Sequence, residues 1–146
     1  MYLLDTNVVS ELRKAGKADN NVRTWAESVP ATSLFLSAIT ILELETGILL
    51  IERRDPRQGE MLRNWLNAHV LPAFANRILP VDVAVAQRCA KLHVPDPRAD
   101  RDSLIAATAL VHGMTVVTRN VADFELTGVE LLNPWTITSR FTQSPN

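Results

Sequence analysis

The 146-residue chain has one cysteine, Cys89. A lone thiol excludes an internal disulfide framework and every multi-cysteine zinc pattern, and it fits a reducing compartment. No uncharged apolar run approaches the ~18 residues that span a bilayer. The opening Met1-Tyr2-Leu3-Leu4-Asp5 also lacks the basic and apolar regions of a signal peptide. These absences predict a cytoplasmic protein that does not touch a membrane. An excess of one charge is missing as well: 15 Lys and Arg stand against 16 Asp and Glu, a formal charge of −1. That balance argues against tight nonspecific duplex binding and leaves room for a locally basic groove. Gly-x-Gly-x-x-Gly and Walker patterns are absent, which removes the usual nucleotide-binding loops. His69, His93 and His112 show no paired metal spacing, and His69 continues the face of Leu62, Trp65 and Leu66, so it reads as a core or boundary residue. Cys89, on an apolar helix face, reads as a small hydrophobe. Internal repeats, low-complexity stretches and long linkers are all lacking.

What remains is 47% apolar and 21% charged, the composition of one compact domain. A chain of this length can bury roughly two thirds of its unfolded surface. Short apolar runs at Tyr2 to Asp5, Leu34 to Leu36, Ile78-Leu79, Thr115 to Thr118 and Val129 to Leu132 predict buried strands. Between them, helical spacing predicts helices over 8–13, 22–28, in the segment after the Leu34 to Leu36 strand to about Arg53 through Ile41, Leu44, Ile48 and Ile51, from Asp55-Pro56 to near Pro72, from Asp82 until Pro95, and from Asp102 to Gly113. The last is apolar nearly all round, the mark of a helix buried on most sides. Such alternation predicts an α/β fold: a central, mostly parallel sheet with helices on both faces. One domain is expected over residues 1–138, followed by a polar, frayed tail over 139–146.

In such sheets the ligand site lies beyond the carboxyl ends of the strands. Asp5 ends the first strand, Glu43 lies early in the helix after the second, and Asp123 follows the Thr115 to Thr118 strand. Asp102 opens the buried helix leading into that strand. Each has an ordinary alternative: Asp5 and Asp102 as helix caps, Glu43 in a capping box with Thr40, Asp123 as a turn residue. Capping does not explain why all four fall on segments able to meet at one rim. Four carboxylates there would raise one another's pKa unless a cation neutralised them, and hard oxygen donors favour magnesium or manganese.

Four segments carry a resemblance: Leu3-Leu4-Asp5-Thr6-Asn7; Leu36-Ser37-Ala38-Ile39-Thr40 with Glu43-Leu44-Glu45-Thr46-Gly47; Asp102-Ser103-Leu104-Ile105-Ala106-Ala107-Thr108-Ala109; and Val117-Thr118-Arg119-Asn120-Val121-Ala122-Asp123-Phe124. In this order and spacing, over residues 2 to about 135, the chain resembles PIN-domain ribonucleases of the VapC/FitB toxin type. The resemblance implies a PIN-like three-layer sandwich and an acidic metal site of Asp5, Glu43, Asp102 and Asp123. It places Thr6, Asn7, Ser37, Thr118 and Asn120 along that site, where Arg119 adjoins them. It further implies a magnesium- or manganese-dependent endoribonuclease, the toxin of a type II toxin–antitoxin pair, blocked by a small antitoxin and assembled as a homodimer or a larger toxin–antitoxin complex. Asp5 and Asp102 are expected as direct ligands, Glu43 as a ligand or water-orienting base, and Asp123 as a direct or water-mediated contact. Arg13, Lys14, Arg98, Arg101 and Arg119 form the expected basic path for RNA, with Arg101 and Arg119 equally able to pair with Asp100, Glu125 or another surface acid. Trp25, Trp65 and Trp135 could stack bases, although core packing is the usual fate of such residues. A phosphoaspartyl transferase leaves Glu43 unexplained. The rival from another class is a non-catalytic antitoxin- or nucleic-acid-binding module with the same fold.

Overall fold

The computed structural model describes residues 1–136. Strand β1 (Tyr2–Leu4) leads into α1 (Thr6–Leu12) and α2 (Asn20–Ser28). Then come β2 (Leu34–Ser37), the long α3 (Ala38–Arg54), α4 (Pro56–Trp65) and the short α5 (Leu71–Ala73). β3 (Ile78–Leu79), α6 (Val83–Leu92), α7 (Asp100–His112), β4 (Thr115–Val117) and β5 (Leu131–Leu132) complete the described chain. All strand pairs are parallel, in the order β3-β2-β1-β4-β5. The expected polar tail, 139–146, lies outside the described residues.

Alternation along the strands feeds two cores, one on each face of the sheet. Leu3, Phe35, Leu79, Val116 and Leu131 join the cluster containing Val85, Cys89 and Leu92 of α6 and Ile105, Ala106 and Ala109 of α7. Leu4, Leu34, Leu36, Val117 and Leu132 join the other, with Val8 and Val9 of α1, Trp25 of α2, Leu44 and Ile48 of α3, and Leu62 of α4. Both faces are therefore buried, which is why the strands read as continuous apolar runs. Trp25 is 1% exposed and meets Tyr2 edge-on with ring centroids 5.2 Å apart, so it serves the core. Gly113 ends α7 in the left-handed region, at φ 67°, a conformation that favours glycine.

The helix expected from Asp55 to Pro72 departs from its sequence pattern. Asp55 caps α4 as anticipated, accepting from the Gln58 amide, but regular helix stops at Trp65 and a wide turn occupies Leu66–Val70. There the Leu71 amide reaches back to the Leu66 carbonyl, five residues away. Pro72 has no N–H to give the Ala68 carbonyl and its ring would clash there, so the helix widens ahead of it. The wide turn lets Leu66 and Val70 continue the buried face and leaves His69 exposed, contrary to the core or boundary position expected of it. Gly59 has a different reason to be small: a Cβ there would lie 2.7 Å from the Glu52 Cα, so glycine lets α4 approach the backbone of α3.

No helix among the described residues is long and apolar enough to cross a membrane.

Candidate functional site

The order of the strands makes the site. The chain runs from β1 outward to β2 and β3, then returns to place β4 on the other side of β1. Connections therefore leave adjacent strands β1 and β4 in opposite directions, which opens a crevice at their carboxyl ends. Asp5 and Thr118, the residues immediately after these strands, face each other there: the Asp5 amide donates to the Val117 carbonyl at 2.9 Å and the Thr118 hydroxyl to Asp5 Oδ2 at 2.8 Å.

Asp5 is 6% exposed and caps α1, its Oδ1 accepting from the Thr6 amide at 2.8 Å. Capping and site membership are thus compatible. Oδ2 also accepts from Asn7 Nδ2 at 3.2 Å. Burial raises the Asp5 pKa, the Thr118 and Thr6 hydrogen bonds oppose the rise, and the charge of Glu43 adds to it. Thr118 is fully buried and is the hub of the cluster. Its oxygen accepts from Asn7 Nδ2 at 3.3 Å and from the Asn120 amide at 3.0 Å, while Asn7 Oδ1 accepts from the Arg119 amide at 3.2 Å.

Glu43 is brought in from α3. That helix begins at Ala38, with the buried Ser37 as its cap accepting from the Ile39 amide at 3.0 Å. A cap at Ser37 overturns the capping-box alternative for Thr40 and Glu43, because Thr40 already lies within the helix. Glu43 instead turns to α1, where the Thr6 hydroxyl donates to Oε1 at 2.6 Å. Ser37 acts by starting α3 in the right place. Its own hydroxyl is committed to the cap.

Asp102 occupies the first turn of α7, which begins at Asp100 after Ala99. It is therefore not the cap. Half-buried, it accepts no hydrogen bond from the described residues. Its pKa is pushed up to about 6, by burial first and then by the charges of Asp5, Asp123 and Glu43. The four acids are thus electrostatically coupled, with Asp123 outermost, on an exposed turn over Val121–Asp123.

Among the described residues no three His, Cys, Asp or Glu side chains are gathered closely enough to hold a metal ion. The donors nevertheless fit a hard divalent cation in kind: every one is oxygen, and Asp102 has neither a hydrogen bond nor a nearby cation of its own to balance its charge.

The basic residues divide. Arg101 Nη1 lies 3.9 Å from Glu43 Oε2, so its partner is an acid of the site and not Asp100. Arg119, exposed at the rim, stacks 5.1 Å over the Trp135 ring. Lys14 pairs with Glu11 at 3.0 Å, and Arg98 Nε donates to the Leu92 carbonyl at 2.8 Å, so both are engaged elsewhere. Arg13 lies 5.9 Å over the Trp65 ring. Sequence reasoning missed Thr40, whose buried hydroxyl lies 3.4 Å from that of Thr6, and the Arg13–Trp65 pair. The i, i+3 spacing of Thr40 and Glu43 was the available signal, and it pointed equally to a cap.

The PIN domain family model matches residues 2–128. VapC ribonuclease Y4jK of Sinorhizobium fredii is 39% identical over 140 residues, spanning 92% of this chain and 98% of that protein. Toxin FitB of Neisseria gonorrhoeae is 38% identical over 141 residues, spanning 92% and 99%. The crystal structure of FitAcB from Neisseria gonorrhoeae superposes with a TM-score of 0.85 at 37% identity, over 93% of this chain and 99% of that one.

Proposed function

The chain belongs to the PIN-domain family, in the branch that holds the VapC and FitB proteins, and from that premise we propose that it is a metal-dependent endoribonuclease and the toxin of a toxin–antitoxin pair. The observation that supports this reading is the charge coupling of Asp102 to Asp5, Glu43 and Asp123 beside the β1/β4 crevice. One buried threonine hub and one hydroxyl bridge hold Asp5 and Glu43. The names of the relatives, a ribonuclease and a toxin, support the same reading.

Asp5 and Asp102 would hold a magnesium or manganese ion directly, Glu43 would hold it or orient water, and Asp123 would contribute through water. Bound there, a divalent cation supplies Lewis-acid chemistry for phosphodiester hydrolysis. The chain's own residues set the geometry. Thr6, Asn7 and Thr118 fix both carboxylate oxygens of Asp5, so its orientation is preset before any ion arrives. The Thr6 hydroxyl holds Oε1 of Glu43 and leaves Oε2 toward Arg101. Arg119 and Asn120 stand at the mouth, where a guanidinium can meet the RNA backbone. A cognate antitoxin that blocks this mouth, and a second copy of the chain, are the partners this reading assigns.

The test is cleavage of single-stranded and structured RNA by the purified chain. Activity should require Mg²⁺ or Mn²⁺, stop with chelator, and be lost in Asp5→Asn. Binding of RNA or a partner with no hydrolysis under any metal would favour a non-catalytic module.

A further inference from the structure

Beside the acids, between α1, α3 and α4, a cavity of about 190 Å³ opens. Thr6 and Glu43 line it, so it is continuous with the acidic site; Ser10, Arg13, Gly47 and Trp65 line the remainder together with aliphatic side chains. Its size suits a single ring, because cavities of ~150 Å³ accept a benzene-sized one. One heterocycle fits. Its chemistry is equally particular. Trp65 offers a half-buried indole, and the Arg13 guanidinium over that ring has no hydrogen bond or ion-pair partner among the described residues. A purely aliphatic guest would leave those donors unmet. Gly47 opens the wall: a Cβ there would meet nothing within 4 Å.

Resting on the ribonuclease reading, we propose that this cavity is a nucleobase pocket, which takes one unpaired base of the RNA whose phosphate lies at the acids and prefers guanine. With the Arg13 guanidinium swung off the Trp65 ring to the edge of the base, stacking on that indole, which is sequence-tolerant, would supply affinity. Arg13 supplies the preference, since a guanidinium matches the O6 and N7 acceptors of guanine in pairs, whereas adenine presents a donor in place of O6. Placing a base here fixes the neighbouring phosphate beside Glu43, so the pocket would set the position of cleavage along the strand.

The experiment follows the indole N–H resonance of Trp65 in the full chain, assigned with Trp65→Phe, during titration with GMP, AMP, CMP and UMP. GMP should shift it and bind about tenfold more tightly than CMP or UMP, the scale of one bidentate pair. Arg13→Ala should erase that preference. Gly47→Leu should melt no lower than the parent, since it removes a mid-helix glycine, yet abolish the shift. No shift with any nucleotide, unchanged GMP binding in Gly47→Leu, or a response only to an amphipathic peptide would overturn the pocket. Cleavage mapping separates the two readings. Metal-dependent cleavage at the same sites and KM in Gly47→Leu would overturn the pocket and leave the ribonuclease standing. A GMP shift in a protein that cleaves no RNA would retain a guanine site and remove the ribonuclease.

Discussion

Replacing Asp102 by asparagine should make the metal-free protein more stable at neutral pH. The side chain keeps its shape and loses no hydrogen bond, since none among the described residues reaches it. What disappears is the cost of an anion held among Asp5, Asp123 and Glu43. The rise of its pKa from the ordinary 3.8 to about 6 corresponds to ~3 kcal/mol against the ionised folded state. Water reaches this half-buried group, and screening reduces the figure to ~1–1.5 kcal/mol. A negative charge in the first turn of α7 favours the helix by ~0.3–1 kcal/mol, which the substitution forfeits. The net gain is therefore about 0–1.2 kcal/mol. Its pH dependence has a definite sign. Between the unfolded and folded pKa values the folded state binds more protons, so the parent loses stability as pH rises from about 4 to about 6, and the loss is complete above that window. Urea unfolding with EDTA at pH 7.5 and pH 4.5 measures both ends. At pH 4.5 the charge cost should fall to roughly a third, leaving the variant no better than its parent. Destabilisation by more than 1 kcal/mol at pH 7.5, or a difference that does not change with pH, would refute the reasoning.

Thr118→Val should cost about 1–3 kcal/mol in urea unfolding, because the buried Asp5 and the Asn120 amide each lose a partner. It should also weaken Mn²⁺ binding, measured calorimetrically, by about 10- to 100-fold, through loss of the orienting hydroxyl. Gly59→Ala should lower stability by about 1–3 kcal/mol, although alanine favours helices, because its Cβ collides with the Glu52 backbone; a variant as stable as the parent would show that α3 and α4 can separate. Arg119→Ala should weaken RNA binding and flatten its salt dependence while leaving metal affinity unchanged, as expected of a phosphate contact outside the acidic cluster. An unaltered salt slope would remove Arg119 from the RNA path.

Much of this was legible because strand ends carry local signals. Asp5 and Thr118 flank apolar runs that are buried on both faces, and parallel sheets place such residues at one edge. Strand order was not legible. Nothing in the spacing of Leu3, Leu36 and Val116 says that β4 returns beside β1, and that return is what makes Asp5 and Thr118 neighbours. The acids were singled out by their positions, and their local roles were ambiguous: Glu43 stands three residues after Thr40 and Asp102 near a helix start, patterns shared by caps and ligands. Only Ser37 and Ala99, as the residues before α3 and α7, resolve them. His69 misled because helical spacing assumes an unbroken 3.6-residue period, and Pro72 widens the turn before it. Arg13 and Trp65 lie 52 positions apart in sequence, and their meeting follows from how α1 and α4 both pack against α3, which no local pattern encodes.

The central claim, that Asp5, Glu43 and Asp102 converge on one cation, is tested most directly by diffraction from crystals grown with Mn²⁺, using the anomalous signal of manganese. The account predicts one anomalous peak or a close pair in the β1/β4 crevice, with Asp5 and Asp102 oxygens at coordination distance, Glu43 on the ion or on its water, and no peak in Asp5→Asn crystals. Manganese bound elsewhere, or a crevice that stays free of it at saturating concentration while the acids keep their present separation, would contradict it.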